Sequence, residues 1–504
     1  MSLFKKIFSR KKKADPRKTY AAQRSAYKAA VLHRLTNTWT RSNLSADAAV
    51  YKDLSILRAR SRDLAINNDY GRRFLNLVKQ NVVGPDGIML QVRSRFASGK
   101  LDKTGNDIIE AAWREWGKKG NCTVDGLLSW HDVEKLAMET VPKDGELLIR
   151  MIPGWPDNKF RFALQLIEAD HIDEELNKSL PNGNKIRMGV EFDRWRRPVA
   201  YYVLTDHPHD FFYGQGYNRK KYERIPADQV LHPYVIERIG QSRGIPWMAT
   251  PAERLHQLSA FEDAELVASR TGASKMGFFT SPSGDDYTGQ GAQDGTGEPK
   301  ELINVAAPGT FEELPEGVDF KAWDPDHPNS GFEQFVMAVL RGVASGLNIS
   351  YVSLANDLRG VSYSSIRQGV LEDRDAWRML QTFLRQSLHE PVYDPWLKTS
   401  LLAGAITSKK GVPMSFDSYA KFAGAALWTP RGWEWVDPAK EVAASILERQ
   451  HGFNSSGRIM ATRGRDFYEI IEEINQENEI FDFPQKEPEK NSEEDNDNAK
   501  KQND

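Results

Sequence analysis

Residues 354–396 read LANDLRGVSYSSIRQGVLEDRDAWRMLQTFLRQSLHEPVYDPW and set a short polar loop directly in front of one long helix. The loop comprises Asn356, Asp357, Leu358, Arg359, Gly360, Val361, Ser362 and Tyr363, in which only Leu358 and Val361 are aliphatic, so it cannot supply a core. Ser364 or Ser365 then offers a hydroxyl to the unpaired amides of a first helical turn. The helix is expected to reach about His389, because Pro391 has no N–H to continue it and restricts Glu390 before it. With a turn of about 100° per residue, Ile366, Val370, Trp377, Leu380, Leu384 and Leu388 share one arc, the buried stripe of an amphipathic helix. Arg367, Arg374, Arg378 and Arg385, spaced seven, four and seven apart, stack on one line beside that arc, with Glu372, Asp373 and Asp375 off the line. Such a row is either a solvated face with local ion pairs or a surface that meets another copy of the chain or nucleic acid.

Charge is unevenly spread over the 504 residues. Residues 1–34 hold eleven Lys and Arg against the single acid Asp15, a net of +10, so the other 470 residues carry −12 to reach the total of −2. A basic arm thus precedes a mildly acidic body. Leu3, Phe4, Ile7 and Phe8 alternate with cations at helical spacing, a pattern suited to an anionic membrane or to nucleic acid, although such arms are commonly disordered alone. Its apolar part is too short for a signal peptide, and no run approaches the ~18 apolar residues needed to cross a bilayer. Cys122 is the only cysteine, which rules out an internal disulfide or a thiolate metal cluster and fits a cytoplasmic setting.

From Leu54 to Val83 the apolar spacing predicts one or two helices, joined near Asn67-Asn68-Asp69 and stopped by Gly84-Pro85. Further helices are expected over Asn106–Trp116 and from Ser129, with Asp132 and Glu134 in its first turn, to just before Pro142. GELLIRMI (145–152), FALQLIEA (162–169), IRMGVEF (186–192) and VAYYVLT (199–205) read as strands, which makes the fold class α+β. Thr250-Pro251-Ala252-Glu253 reads as a capping box opening a helix to about Arg270. Five glycines between 284 and 297 mark a flexible excursion, followed by strand candidates GTFEEL (309–314) and VDFKAW (318–323). A helix is expected over Gly331–Tyr351, where Gly342 and Gly346 permit close approach of another backbone. Beyond Pro391 come a connector with Trp396, the Trp-rich turn TPRGWEWVDP (429–438), helices over Glu441–Gln450 and Ser455–Gln476, and an acidic, disordered tail after Phe483.

No G-x-x-x-x-G-K-[ST], H-E-x-x-H or G-x-S-x-G pattern occurs. His207 and His209 flank Pro208 beside Asp210 and read as surface-loop residues, and Glu168, Asp170 and His171 read as a strand end. No catalytic residue, metal or cofactor is therefore expected.

The segments LIEADHID (166–173), RRPVAYYV (196–203), 225–279 (IPADQVLHPYVIERIGQSRGIPWMATPAERLHQ onward), GVSYSSIRQGVLEDRDAWRMLQTFL (360–384) and WTPRGWEWVDPAKEV (428–442) together resemble those of lambda-type bacteriophage portal proteins, in order across most of residues 50–480. The resemblance implies a ring of about twelve copies at one capsid vertex of the virion, assembled in the host cytoplasm, through which double-stranded DNA enters and leaves. It implies a basic arm (1–45), a wing (46–250), a stem helix (251–276), a clip (277–330), a second stem helix (331–352), a tunnel loop (353–364), a long helix with the rest of the wing (365–437), a crown (438–482) and a tail (483–504). Residues 356–363 would then face DNA, and Gly342 and Gly346 would let stem helices of neighbouring subunits pack. The implied partners are the terminase large subunit, a head-tail connector protein, and the major capsid and scaffold proteins, with no membrane. Two readings stay beside it: a nucleic-acid-binding protein using the basic arm and arginine row, and an enzyme whose site residues show no recognised pattern.

Overall fold

The computed structural model describes residues 42–210, 221–273, 277–280, 319–322, 331–360, 362–408, 410–433 and 438–480, together with Arg34 and residues 37–40. A short helix α1 (Ala46–Val50) precedes α2 (Leu54–Asn67) and α3 (Asp69–Val78). The joint falls at Asn68 as expected, whose side chain caps α3 by accepting from Gly71 N at 2.8 Å. After α3 the chain widens into a π turn at Lys79–Val83 and stops at Gly84, φ 77°. Strand β1 (Met89–Val92) leads to α4 (Lys103–Trp116), which begins before Asn106 because Asp102 accepts from Gly105 N at 3.0 Å. Helix α5 (Trp130–Asp144) opens on a reciprocal Ser129–Asp132 box and continues through Pro142 rather than stopping before it. The proline removes one backbone bond in the last turn, and left-handed Gly145 closes the end by donating to Val141 O at 2.9 Å.

The sheets follow: β2 (Leu148–Pro153), β3 (Phe162–Ile167), β4 (Lys178–Ser179), β5 (Lys185–Arg187), β6 (Val190–Phe192), β7 (Pro198–Leu204), β8 (Tyr222–Pro226) and β9 (Val230–Leu231). They form a three-stranded sheet in the order β3-β2-β9 and an antiparallel meander from β4 to β8. The stretch IRMGVEF is a hairpin and not one strand. Met188 (φ 45°) and Gly189 (φ 81°) make a two-residue turn that needs positive φ at both positions, a cost that a methionine hides from sequence reading.

Arg243 and Glu146 join the two sheets from the inside. Arg243 is fully buried and uses its five N–H groups on Glu146 and on the carbonyls of Ala169, Ile172 and Met188, at 2.5–3.1 Å. Glu146 also accepts from Arg58 (3.0 Å), from His232 Nε2 (2.9 Å) and from Gly244 N (2.8 Å). Burial alone would raise its pKa, but Arg243, His232 and Arg58 hold this carboxyl well below the usual range.

Helix α6 (Ala252–Ala273) is entered through a tight turn at Trp247–Ala249. Thr250 has helical φ and ψ of −65° and −50°, so the expected capping box is not formed: a capping residue needs extended backbone. Strands β10 (Gly277–Thr280) and β11 (Asp319–Ala322) pair antiparallel and bracket the glycine-rich excursion. VDFKAW thus contains a strand, while GTFEEL lies outside the described residues. Helix α7 (Phe332–Gly346) returns along α6, with the Phe261 ring 5.6 Å from Phe332 and 5.0 Å from Phe335. The helix expected to Tyr351 ends at Gly346. Asn348 turns left-handed (φ 55°), and Ser350, which caps the short α8 (Tyr351–Ala355), is gripped by Asp373 through its N–H (2.7 Å) and hydroxyl (2.8 Å).

Long helix α9 (Tyr363–Leu384) passes through a π turn at Arg385–His389 into α10 (Glu390–Leu402), where Pro391 opens a helix instead of a connector. Helix α11 (Tyr419–Ala423) leads to β12 (Ala426–Thr429), which pairs with β1 in the register Met89↔Thr429 and so binds the two ends of the body together. The core between them is aromatic: Trp113 lies 4.8–5.5 Å from Trp116, Trp130, Trp396 and Trp428. Within it, buried His389 Nε2 donates to buried Glu134 at 2.6 Å. The last helices are α12 (Pro438–Gln450), α13 (Ser456–Thr462) and α14 (Phe467–Ile480). The single helix expected over Ser455–Gln476 is broken at Gly464 (φ 74°), whose backbone lies so close to the Trp-rich turn that a Cβ there would sit 2.8 Å from Gly432 N.

Candidate nucleic-acid interface

The loop before α9 is tied down along its first half. Asn356 takes the left-handed conformation after α8 (φ 53°), and Asp357 accepts from the Tyr351 hydroxyl (3.0 Å) and from Arg359 through N (3.0 Å) and Nε (3.2 Å). Arg359 reaches back to Glu333 at the start of α7, at 2.8 Å. The loop charges are thus paired with each other and with the helix pair behind them. Leu358 and Gly360 are exposed, and Gly360 has φ 66°. Ser362 is the cap, accepting from Ser365 N at 3.3 Å, so neither Ser364 nor Ser365 plays that part and Tyr363 is the first helical residue rather than the last of the loop. Val361 lies outside the described residues.

Along α9 burial rises from the loop end toward the body. Ile366 and Val370 are half-buried, whereas Trp377, Leu384 and Leu388 are buried. On the neighbouring line Arg367 and Arg378 are exposed, and Arg374 and Arg385 are half-buried. Arg378 pairs with Asp375 at 2.8 Å and Arg385 with Glu390 at 3.3 Å, which are the local pairs of the bland reading. What the spacing could not show is Trp433 of the Trp-rich turn. Its indole carries the guanidinium carbons of Arg374, Arg378 and Arg431 at 5.8, 5.8 and 5.6 Å, and its Nε1 donates to Asn81 at 3.1 Å. Burial, with the neighbouring Arg378 and Arg431, lowers the pKa of Arg374 below the ordinary arginine value.

Gly342 and Gly346 both face α6 or its entry within the same chain. A Cβ on Gly342 would collide with the Arg254 guanidinium, while one on exposed Gly346 would rest 3.7 Å from Pro251. Glu168, Asp170 and His207 place their ligand atoms within 4.8 Å of one another. Asp170, however, gives one oxygen to Arg58 (3.2 Å) and the other to Arg62 (2.5 Å). His207 Nδ1 accepts from His209 N at 3.2 Å, and its Nε2 lies 3.2 Å from Glu168. Both oxygens of Asp170 are thus taken up in an ion-pair network with Arg58 and Arg62.

The model of the phage portal protein, lambda family, matches residues 32–381. The chain belongs to that family. A "Probable portal protein" of Halomonas phage phiHAP-1 is 37% identical over 472 residues, covering 92% of this portal chain and 88% of its relative. Portal protein B of Escherichia phage lambda is 21% identical over 469 residues, covering 86% and 85%. Among solved structures, the neck of an empty GTA particle computed with C6 symmetry aligns with a TM-score of 0.42 at 14% identity, covering 81% of this portal chain and 93% of that one.

Proposed function

We propose that the chain forms the ring at one capsid vertex through which double-stranded DNA passes during packaging and ejection, and that it does no covalent chemistry itself. The observation that carries this reading is the family match across two thirds of the chain. A physical feature supports it: the α6–α7 pair leaves Leu266, Val267 and Phe335 more than half exposed, an apolar face that a neighbouring copy would cover. Residues 356–363 are proposed to face the channel, where the mutual pairing of Asp357 and Arg359 lets DNA slide without being gripped. The excursion bracketed by β10 and β11 is proposed as the docking segment for the packaging motor and the head-tail connector. Mass photometry of the purified chain tests the reading: rings of about twelve copies support it, whereas a monomer or dimer with tight, salt-sensitive DNA affinity favours a nucleic-acid-binding protein acting through its basic arm.

A further inference from the structure

Glu110 on α4 faces the start of α14 across a cavity of about 310 Å³, whose walls include Trp113, Trp130, Asp466 and Glu469. The side chain is half-buried, and its Oε1 accepts from Val92 N of β1 at 2.6 Å. Ionising a carboxyl in this place has two costs: burial withholds water, and like charge faces it from Asp466 at the head of α14 and from Asp107 on its own helix. The Val92 amide and Arg114 oppose those costs. From α10, Tyr393 also faces Glu110, and its hydroxyl is pushed up by burial and by that carboxyl, so it stays neutral where carboxyls titrate. On the far wall His131 and Glu134 of α5 lie 3.4 Å apart, with Glu134 held by His389 at 2.6 Å, and Asp86 stands at the same cavity.

Helix α14 is fixed at one end and lightly held beyond it. Gly464 is anchored against Gly432, and two residues later Asp466 caps the helix by accepting from Tyr468 N at 2.6 Å. From there α14 is tied to α4 by Glu469 with Arg114 at 3.8 Å and Glu472 with Lys103 at 2.5 Å, pairs of exposed side chains and hence weak ones. Residues 471–479 are exposed. A helix on such ties sits directly over a carboxyl whose charge would oppose its own cap.

We propose that Glu110 is a proton switch for the seat of the last helix: its neutral carboxyl lets α14 rest against α4, and its carboxylate lifts α14 off. On ionisation the proton goes to solvent, water enters the cavity to hydrate the carboxylate, and Asp466 moves away from it. One movement about the Gly464 anchor serves all three. The sign follows from the shift. With α14 seated the carboxyl is pushed up to about 7 from 4.5, so seating is full below about 4.5, weakens by up to ~tenfold per pH unit above that, and levels off above about 7. The face that α14 presents to any neighbour, with Ile471 and Ile474 on it, is then set by pH. This switch needs neither DNA nor a particular ring size.

The test is hydrogen exchange read by mass spectrometry on peptides of α14, in the full-length chain and in whatever assembly it forms, between pH ~5 and ~8 with rates corrected for their intrinsic pH dependence. Wild type is compared with Glu110→Gln, Asp466→Asn and His131→Gln. In the wild type the opening of residues 467–480 should rise by ~tenfold or more from pH ~5 to ~7 and then level, while peptides of α4 and α5 stay protected. Glu110→Gln carries a neutral group of the same shape and should hold α14 at its low-pH protection throughout. Asp466→Asn keeps a capping oxygen and should shrink the rise without abolishing it, since burial is the larger cause. His131→Gln should leave the wild-type rise in place. A flat wild-type profile overturns the proposal, and so does a rise that survives Glu110→Gln or that His131→Gln removes. If Glu110→Gln does not fold, an unchanged rise in Asp466→Asn overturns it instead.

Discussion

Arg243 and Glu146 illustrate how far single side chains carry this structure. Both are completely buried, and each is satisfied only because the other is present together with three carbonyls, Arg58 and His232. Glu146→Gln leaves an uncompensated buried guanidinium and should cost about 3–5 kcal/mol in a urea unfolding series. Because the folded pKa of Glu146 is depressed, its contribution is present above the unfolded value and is lost as pH falls through the folded one. Glu110 has the opposite sign. Burial, helped by Asp466 and Asp107 and opposed by the Val92 amide and Arg114, pushes its carboxyl up to about 7 from 4.5. Its contribution is full below 4.5 and fades as pH rises toward 7, so Glu110→Gln should raise the melting temperature at pH 8 and leave it nearly unchanged at pH 4. Melting curves at the two pH values check this; an equal shift at both would show that titration of Glu110 is not involved.

At the scale of elements, the loop and the helix pair behind it act as one unit through Arg359, Asp357, Tyr351 and Glu333. These bonds are exposed or half-exposed, so deleting residues 356–361 should leave folding and ring assembly intact while lowering DNA packaging or its retention in the capsid. Wild-type genome yield from the deleted form would reduce the loop to a connector. The glycines of α7 separate in their expected effects. A side chain at Gly342 must first displace Arg254 within its own chain, whereas Gly346 is exposed and has room for a methyl group beside Pro251. Gly346→Leu should therefore lower ring formation with little change in the melting temperature of the single chain. Normal rings from that variant would place no neighbouring helix against Gly346.

Across the whole molecule the body is closed by contacts between distant parts of the sequence, above all β1 with β12 and the tryptophans of α4, α5, α10 and β12. The β10–β11 pairing brings together the two ends of the excursion that follows β10. Removing residues 281–299 should then change the melting temperature by only a few degrees while weakening attachment of the motor or connector. A loss of tens of degrees in differential scanning calorimetry would show that this stretch packs into the body.

Periodicity and punctuation along the chain determined the α+β class, the helices over 54–83, a long helix directly behind a polar loop near residues 356–363, and the place of the β-bracketed excursion, because apolar spacing, Gly-Pro stops and turn residues act over a few positions, while the cap and the end of that long helix came out differently, at Ser362 and Leu384. Ordered segment resemblance determined the family. The places where those local rules failed have a tertiary cause in each case. Met188 accepts a left-handed turn because β5 and β6 pair across it; α7 stops at Gly346 where Asp373, on another helix, takes Ser350; and the helix over 455–476 breaks because Gly464 must lie against Gly432. The arginine row shows the same division. Its line was legible from steps of seven, four and seven, but its meeting with Arg431 and Trp433 depends on a turn 48 residues beyond Arg385, and only the packing of that turn onto α9 puts the charges in one cleft.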